Sequence, residues 1–190
     1  MSRRAELLGI AAELFAERGF RATTVRDIAE AAGILSGSLY HHFDSKESMV
    51  DEILSTFQDE LFARYDAVLA SDADVRSQVE QIVRLSFEAI DQHRAAVAIF
   101  QNDAAYLSLD DRFAYLRTNN ERFRSMWTSL IDAGIAEGAL RSDLDPVLSY
   151  RFIRDTVWVA VAWYRPGGRF SATEVADQYL AILLDGLGAR

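Results

Sequence analysis

The 190-residue chain has no cysteine, which excludes disulfides, zinc–thiolate sites and thiol nucleophiles. Its two prolines are Pro146 and Pro166. Proline breaks helix interiors, so the long proline-free stretch before Pro146 favours helices. No uncharged apolar run approaches the roughly 18 residues of a membrane span. Met1-Ser2-Arg3-Arg4 opens like a twin-arginine signal, but only six residues separate Glu6 from Glu13, too few for an uncharged signal core. A cytoplasmic protein with no membrane segment is expected. Nucleophile-elbow glycines, metal-ligand spacing and a Gly-rich phosphate loop are all missing, so neither an enzyme nor a metal or cofactor site is expected. There is no repeat and no strand-like alternation.

Basic residues are also scarce. Twenty Lys+Arg stand against 29 Asp+Glu, a net charge of −9, and Lys46 is the only lysine. That balance argues against a non-specific nucleic-acid binder and leaves a specific one open. Residues 1–50 carry six basic groups (Arg3, Arg4, Arg18, Arg21, Arg26 and Lys46) against seven acidic ones, a net of −1. Half the residues are apolar and 26% are charged, the composition of a globular chain.

The apolar spacing reads as helices throughout, about nine in all. The first runs from Arg3 to Arg18 and stops at Gly19. Thr24-Val25-Arg26-Asp27 is a capping box opening a short second helix to about Ala32. A third runs from about Ser36 to Phe43. Asp44-Ser45-Lys46-Glu47 is a further capping signature, opening a long helix to about Leu69. Further helices are expected over about 75–92, 94–102 and 111–137. One from Pro146 runs to about Tyr164, and the last, capped by Ser171 and Glu174, runs to about Leu187. The domain boundary is placed inside the fourth helix, giving residues 1–47 and 48–190.

Two short helices about a glycine-containing turn have the layout of a helix-turn-helix. Val25, Ile28 and Ala29 form the inner face of one, and Leu39 and Phe43 that of the other. Ser36, Gly37, Ser38, Tyr40 and His41 stay outside, a face dockable into a DNA major groove. Thr24, Arg26 and Lys46 sit at helix starts suited to phosphates. His41 and His42 point about 100° apart and do not make a metal site.

These elements in register, Thr24 to Ala29, Gly33, Gly37 to Phe43 and Ser45-Lys46-Glu47, resemble the TetR family of bacterial transcriptional regulators. The resemblance implies an all-helical homodimer with an N-terminal DNA reader and a C-terminal ligand and dimerisation domain. The family usually has Ser or Thr where this chain has Leu35. Two readings stay open: the cap shifts to Ser36, or Leu35 touches a thymine methyl.

In the C-terminal part, Arg154 and Trp158 share one helical face just ahead of an apolar segment that must be buried. They form either an effector contact, a cation over an aromatic wall, or an ion pair beside plain core. Phe87 and Trp127 are further candidates for a pocket lining. Phe152, Val159 and Trp163 on one helix, with Val175, Tyr179, Leu183 and Leu187 on the next, are candidates for a dimer interface in a four-helix bundle. The segments 150–158 and 163–168 resemble one TetR subgroup, the actinobacterial repressors of lower cholesterol-degradation genes. This implies a CoA thioester of a steroid-ring fragment as effector, with Arg154 and Trp158 as contacts, although the subgroup has an arginine where this chain has Ala162. The expected function is a ligand-responsive repressor on a palindromic double-stranded operator. A regulator answering another acyl-CoA or hydrophobic molecule, or a DNA-bound adaptor without an effector, is the alternative.

Overall fold

The capping signatures largely set where the chain turns. In the computed structural model, which describes residues 2–186, every regular element is helical. Helix α1 (Arg3–Arg18) is capped by the Ser2 hydroxyl and closed by Gly19, whose φ of 85° suits glycine. Helix α2 (Val25–Ala31) carries the complete Thr24–Asp27 capping box. Helix α3 (Ser36–Leu39) is shorter than expected: regular helix ends at Leu39, and turn hydrogen bonds carry the chain on to Phe43. Helix α4 (Lys46–Leu69) starts with a reciprocal pair, in which the Ser48 amide donates to the Ser45 hydroxyl and the Ser45 amide to that of Ser48. Ser48, rather than Glu47, completes that cap.

Helix α5 (Val75–Gln92) buries Val75, Val79, Ile82, Val83, Ser86, Phe87, Ala89 and Ile90, a clean helical stripe. Helix α6 (Arg94–Leu107) outruns the expected end near Asn102, because Asp103 is buried and has a partner. A 3₁₀ turn (Asp111–Phe113) precedes α7 (Ala114–Ala136). Helix α8 (Pro146–Trp158) begins with proline at its first turn and continues as a 3₁₀ turn, Val159–Ala162. Helix α9 (Ala172–Leu180) has the expected Ser171–Glu174 box and ends in a π turn, Ala181–Asp185. Leu187 lies outside the described residues.

The packing divides into two compact units. One comprises Met1–Asp59 with Ala95–Arg117, the other Glu60–Arg94 with Thr118–Arg190. In the first unit, Leu7, Ala11 and Phe15 of α1 are buried along with Ile28, Ala29, Leu39 and Phe43. The corner between α1 and α2 is held by polar groups. The buried Thr23 hydroxyl donates to the carbonyls of Leu14 (3.2 Å) and Gly19 (2.9 Å). The Phe20 amide donates to the buried Asp103 carboxylate at 3.1 Å. In the second unit the Tyr65 and Ser86 hydroxyls bond at 2.6 Å, and the Tyr164 hydroxyl donates to Asp91 at 2.5 Å. Burial and the Asp91 charge push the Tyr164 phenol up to about 12.

Thr23→Val removes the corner hydroxyl while keeping the shape. We expect a stability loss of about 1–3 kcal/mol in urea unfolding. Thr23→Ser should lose less than half of that; equal losses would show that the hydroxyl contributes nothing.

Candidate functional site

The helix-turn-helix segment lies wholly within the first unit. Its inner residues Ile28, Ala29, Leu39 and Phe43 are buried, and Arg26, Gly37, Tyr40 and His41 are exposed. Ser36 and Ser38 are half-buried and Thr24 is exposed. Leu35 is the N-cap residue of α3 by backbone conformation, and no side chain caps that helix. Ser36 is its first helical residue, so the cap does not shift there.

Thr24 does more than begin a helix. Its hydroxyl accepts the Asp27 amide at 3.1 Å, and its own amide donates to the Asp27 carboxylate at 2.8 Å. The Thr24 hydroxyl first, then the Thr24 amide, hold the Asp27 carboxyl below its usual value, with smaller help from Arg18 and Arg26. Lys46 departs from the expected free phosphate contact. Its ammonium donates to the carbonyls of Phe20 (2.9 Å) and Thr23 (3.0 Å) and lies 4.3 Å from the centre of the Phe20 ring. Two of its three protons are therefore used inside the head.

Other basic groups of the head are also engaged. Arg3 donates to the Ala32 carbonyl at 2.9 Å, tying α1 to the end of α2. Arg4 forms a two-pronged pair with Glu52 of α4 and lies 4.5 Å from the centre of the Phe43 ring. The Arg21 guanidinium stacks on Tyr106 at 4.8 Å.

In the second unit, Arg154 forms an ion pair beside the buried Trp158, one of the two arrangements the sequence left open. Its side chain is 38% exposed, and the guanidinium pairs with the neighbouring Asp155 at 2.6 Å. That hydrogen bond raises its pKa more than any other contact. Arg154 does share a face with Trp158, because positions 150, 154 and 158 are spaced by one helical turn. Its guanidinium lies 5.6 Å from the centre of the Tyr150 ring. Tyr150, Trp158 and Trp127 each pack edge-on to Phe123 at 6.0, 6.2 and 6.4 Å. Trp127 is fully buried, and its indole N–H has no hydrogen-bond partner among the described residues. Phe87 falls outside this group: its ring packs on Tyr179 at 5.7 Å. Phe123 and Tyr150, the hub and platform of the cluster, escaped the sequence-based list. The i, i+4 spacing of Tyr150, Arg154 and Trp158 was the available signal for Tyr150.

A third feature is an apolar surface on α8 and α9. Phe152, Val159 and Trp163, the first three dimer candidates, are exposed, whereas Val157, Trp158, Ala160 and Val161 are buried. An open groove of about 560 Å³ is lined in part by Phe87, Trp163, Phe170, Val175, Tyr179 and Ile182. Of the other dimer candidates, Val175, Tyr179 and Leu183 are half-buried.

A helical head of this layout, joined to a second helical unit with an aromatic cluster, defines a helix-turn-helix regulator. Residues 7–53 match the bacterial regulatory proteins of the tetR family, and residues 72–187 match the tetracyclin repressor-like C-terminal domain. The chain belongs to the tetR family. It is 59% identical over 187 residues to the HTH-type transcriptional repressor KstR2 of Rhodococcus jostii (strain RHA1), covering 98% of this chain and 92% of that protein. It is 56% identical over 186 residues to KstR2 of Mycobacterium tuberculosis (strain ATCC 25618 / H37Rv), covering 98% and 93%. The solved structure of the ketosteroid transcriptional regulator KstR2 of Mycobacterium tuberculosis matches with a TM-score of 0.95 at 55% identity, covering 100% of this chain and 96% of that one. The protein is a DNA-binding transcriptional repressor of the TetR type, not an enzyme. No helix among the described residues is long and apolar enough to cross a membrane.

Because the folded Asp27 pKa lies below its ordinary 3.8, its contribution to stability is full above that value and is lost as pH falls through the folded one. Asp27→Ala should lower the urea midpoint at pH 7. The gap from wild type should close as pH drops below about 4. A gap that persists unchanged at pH 3 contradicts the ionic form of the box.

Proposed function

We propose that this repressor controls steroid-catabolism genes and leaves its operator when a CoA thioester of a steroid-ring fragment binds its C-terminal domain. The observation that carries the reading is the 59% identity to a KstR2 repressor over 98% of the chain. The mycobacterial relative, a ketosteroid transcriptional regulator, supplies the steroid class.

The aromatic cluster supports this chemistry. Arg154 offers a half-exposed cation for carbonyl or thioester oxygens, and the buried rings of Tyr150 and Trp158 on the same helical face are apolar neighbours for an alicyclic body. The buried Trp127 N–H is a donor without a partner, a group that a ligand carbonyl would satisfy. Phe87 lies apart from this cluster, with its ring on Tyr179 in the lining of the α9 groove.

The protein acts as a homodimer through α8 and α9, in the bacterial cytoplasm where its operator lies. The motivation is the exposed apolar set Phe152, Val159 and Trp163 beside the Val175–Tyr179 groove. An apolar patch of this kind marks an interaction surface, and a two-fold interface pairs the same patch on both copies. Two heads then meet successive major grooves about 34–36 Å apart on a palindrome. Thr24, Arg26, Ser36, Gly37, Ser38, Tyr40 and His41 face the DNA, and Lys46 keeps one ammonium proton for a phosphate. Effector binding shifts the head spacing by a coupling of about 1–3 kcal/mol.

Val159→Asp should give monomers in sedimentation and abolish binding to a palindrome. A monomeric wild type that binds a palindrome tightly overturns the dimer.

The effector is tested with a duplex selected by the full-length protein from a random pool, challenged with steroid-derived CoA thioesters, a straight-chain acyl-CoA and free CoA. The steroid thioester alone should release the protein. Arg154→Met and Trp158→Leu should need more than ten times the effector, about 1.4 kcal/mol, while keeping operator affinity. Release by the straight-chain acyl-CoA alone contradicts the steroid reading, and release by none favours an adaptor. Melting curves separate lost binding from lost packing at the buried Trp158.

A further inference from the structure

We infer that Leu35 sets part of the operator sequence by contacting the C5-methyl group of a thymine in the major groove. The inference starts from a local cost. Position 35 has the extended backbone of an N-cap (φ −72°, ψ 143°), where Ser, Thr, Asp or Asn would accept an amide of the first turn. A leucine cannot, and nothing replaces it. The same side chain is 80% exposed, so it repays nothing by packing within the head. A lone exposed leucine is ordinary on a protein surface. This one coincides with a forgone cap at the opening of the recognition helix, whose first residues reach base edges in a helix-turn-helix.

The readers available in the segment narrow the chemistry. Residues 27–45 contain no Arg, Lys, Asn or Gln. The two-pronged contacts to guanine and adenine that dominate direct readout are therefore missing from it. Asp27 is committed to the capping box. Within residues 34–43, the α3 opening and the turn after it, what remains is the hydroxyls of Ser36, Ser38 and Tyr40, the imidazoles of His41 and His42, and the apolar Leu35. Serine discriminates bases weakly. The thymine methyl is the one apolar feature that a base pair shows in the major groove, and Leu35 and Tyr40 are the large exposed apolar side chains of this segment. The contact is made by the side chain; the α3 amides play no part in it.

The test uses the full-length protein and a duplex that it enriches from a random-sequence pool. Each thymine of that duplex is replaced in turn by deoxyuridine, which deletes the methyl group and nothing else. One thymine per half-site should matter: its replacement should weaken wild-type binding about fourfold, the worth of one buried methyl. Leu35→Ala should bind more weakly and lose that sensitivity. Leu35→Ser restores a capping hydroxyl, so it should melt at or above the wild-type temperature and still be blind to the methyl. This separates a lost contact from a lost fold. Identical deoxyuridine profiles for wild type and Leu35→Ala, or a wild type indifferent to every thymine methyl, overturn the proposal. Enrichment of a duplex by the wild type reports DNA binding itself, independently of Leu35.

Discussion

One ammonium group closes the reading head. The Lys46 Nζ grips the carbonyls of Phe20 and Thr23 and sits over the Phe20 ring. The helix-turn-helix runs between those points, beginning at Thr24 and ending at Ser45. The clamp thus joins the two ends of the segment that carries every base-reading candidate. Its carbonyls are themselves fixed: the Phe20 amide is held by Asp103, and Thr23 is anchored through its hydroxyl to Leu14 and Gly19. A charge-assisted bond to a backbone carbonyl is stronger than a neutral one, and here two act on one corner.

Much of the fold was legible because its signals are local. The Thr24–Asp27 and Ser171–Glu174 boxes, Pro146 at a helix start and Gly19 at a helix end each act over a few residues. Each appears in the structure as the sequence implied. Signals that depend on partners far along the chain failed. Asn102-Asp103 reads as a helix end, yet Asp103 is buried against the Phe20 amide, 83 positions away, and α6 runs on to Leu107. Residues 157–163, the end of α8 and the 3₁₀ turn after it, are apolar around the circumference, and periodicity cannot tell a face buried within the chain from one left for a second copy.

The sites divide along the same line. The reading segment was found because its inner and outer residues follow a strict helical pattern. Lys46 was placed at the right helix start, but its clamp on the head was not legible, since no sequence rule says that its ammonium folds back onto carbonyls 26 and 23 positions upstream. Arg154 shows the limit of reading burial from neighbours. Its apolar neighbours suggested burial, while the adjacent Asp155 supplies a partner at the surface and the guanidinium lies 5.6 Å from the centre of the Tyr150 ring. A long cationic side chain covers apolar surface while keeping its head wet, and a burial argument from neighbours alone overlooks that option.

The spending of positive charge inside the head bears on how an acidic protein recognises DNA. Of the six basic groups in residues 1–50, Arg3, Arg4, Arg21 and Lys46 are held by Ala32, Glu52, Tyr106 and the α1–α2 corner. Arg18 and Arg26 are exposed and flank the capped Asp27. Non-specific affinity scales with the number of phosphates neutralised, so a head with few uncommitted cations carries a small sequence-independent term. The chain's net charge of −9 lowers that term further wherever salt does not screen it. Discrimination is a difference between two affinities, and it grows as readily by weakening the unwanted one as by strengthening the wanted one. On the proposed interface, neutral readers such as Ser36, Ser38, Tyr40 and Leu35 would then suffice for selectivity, because the background against which they must be felt is low.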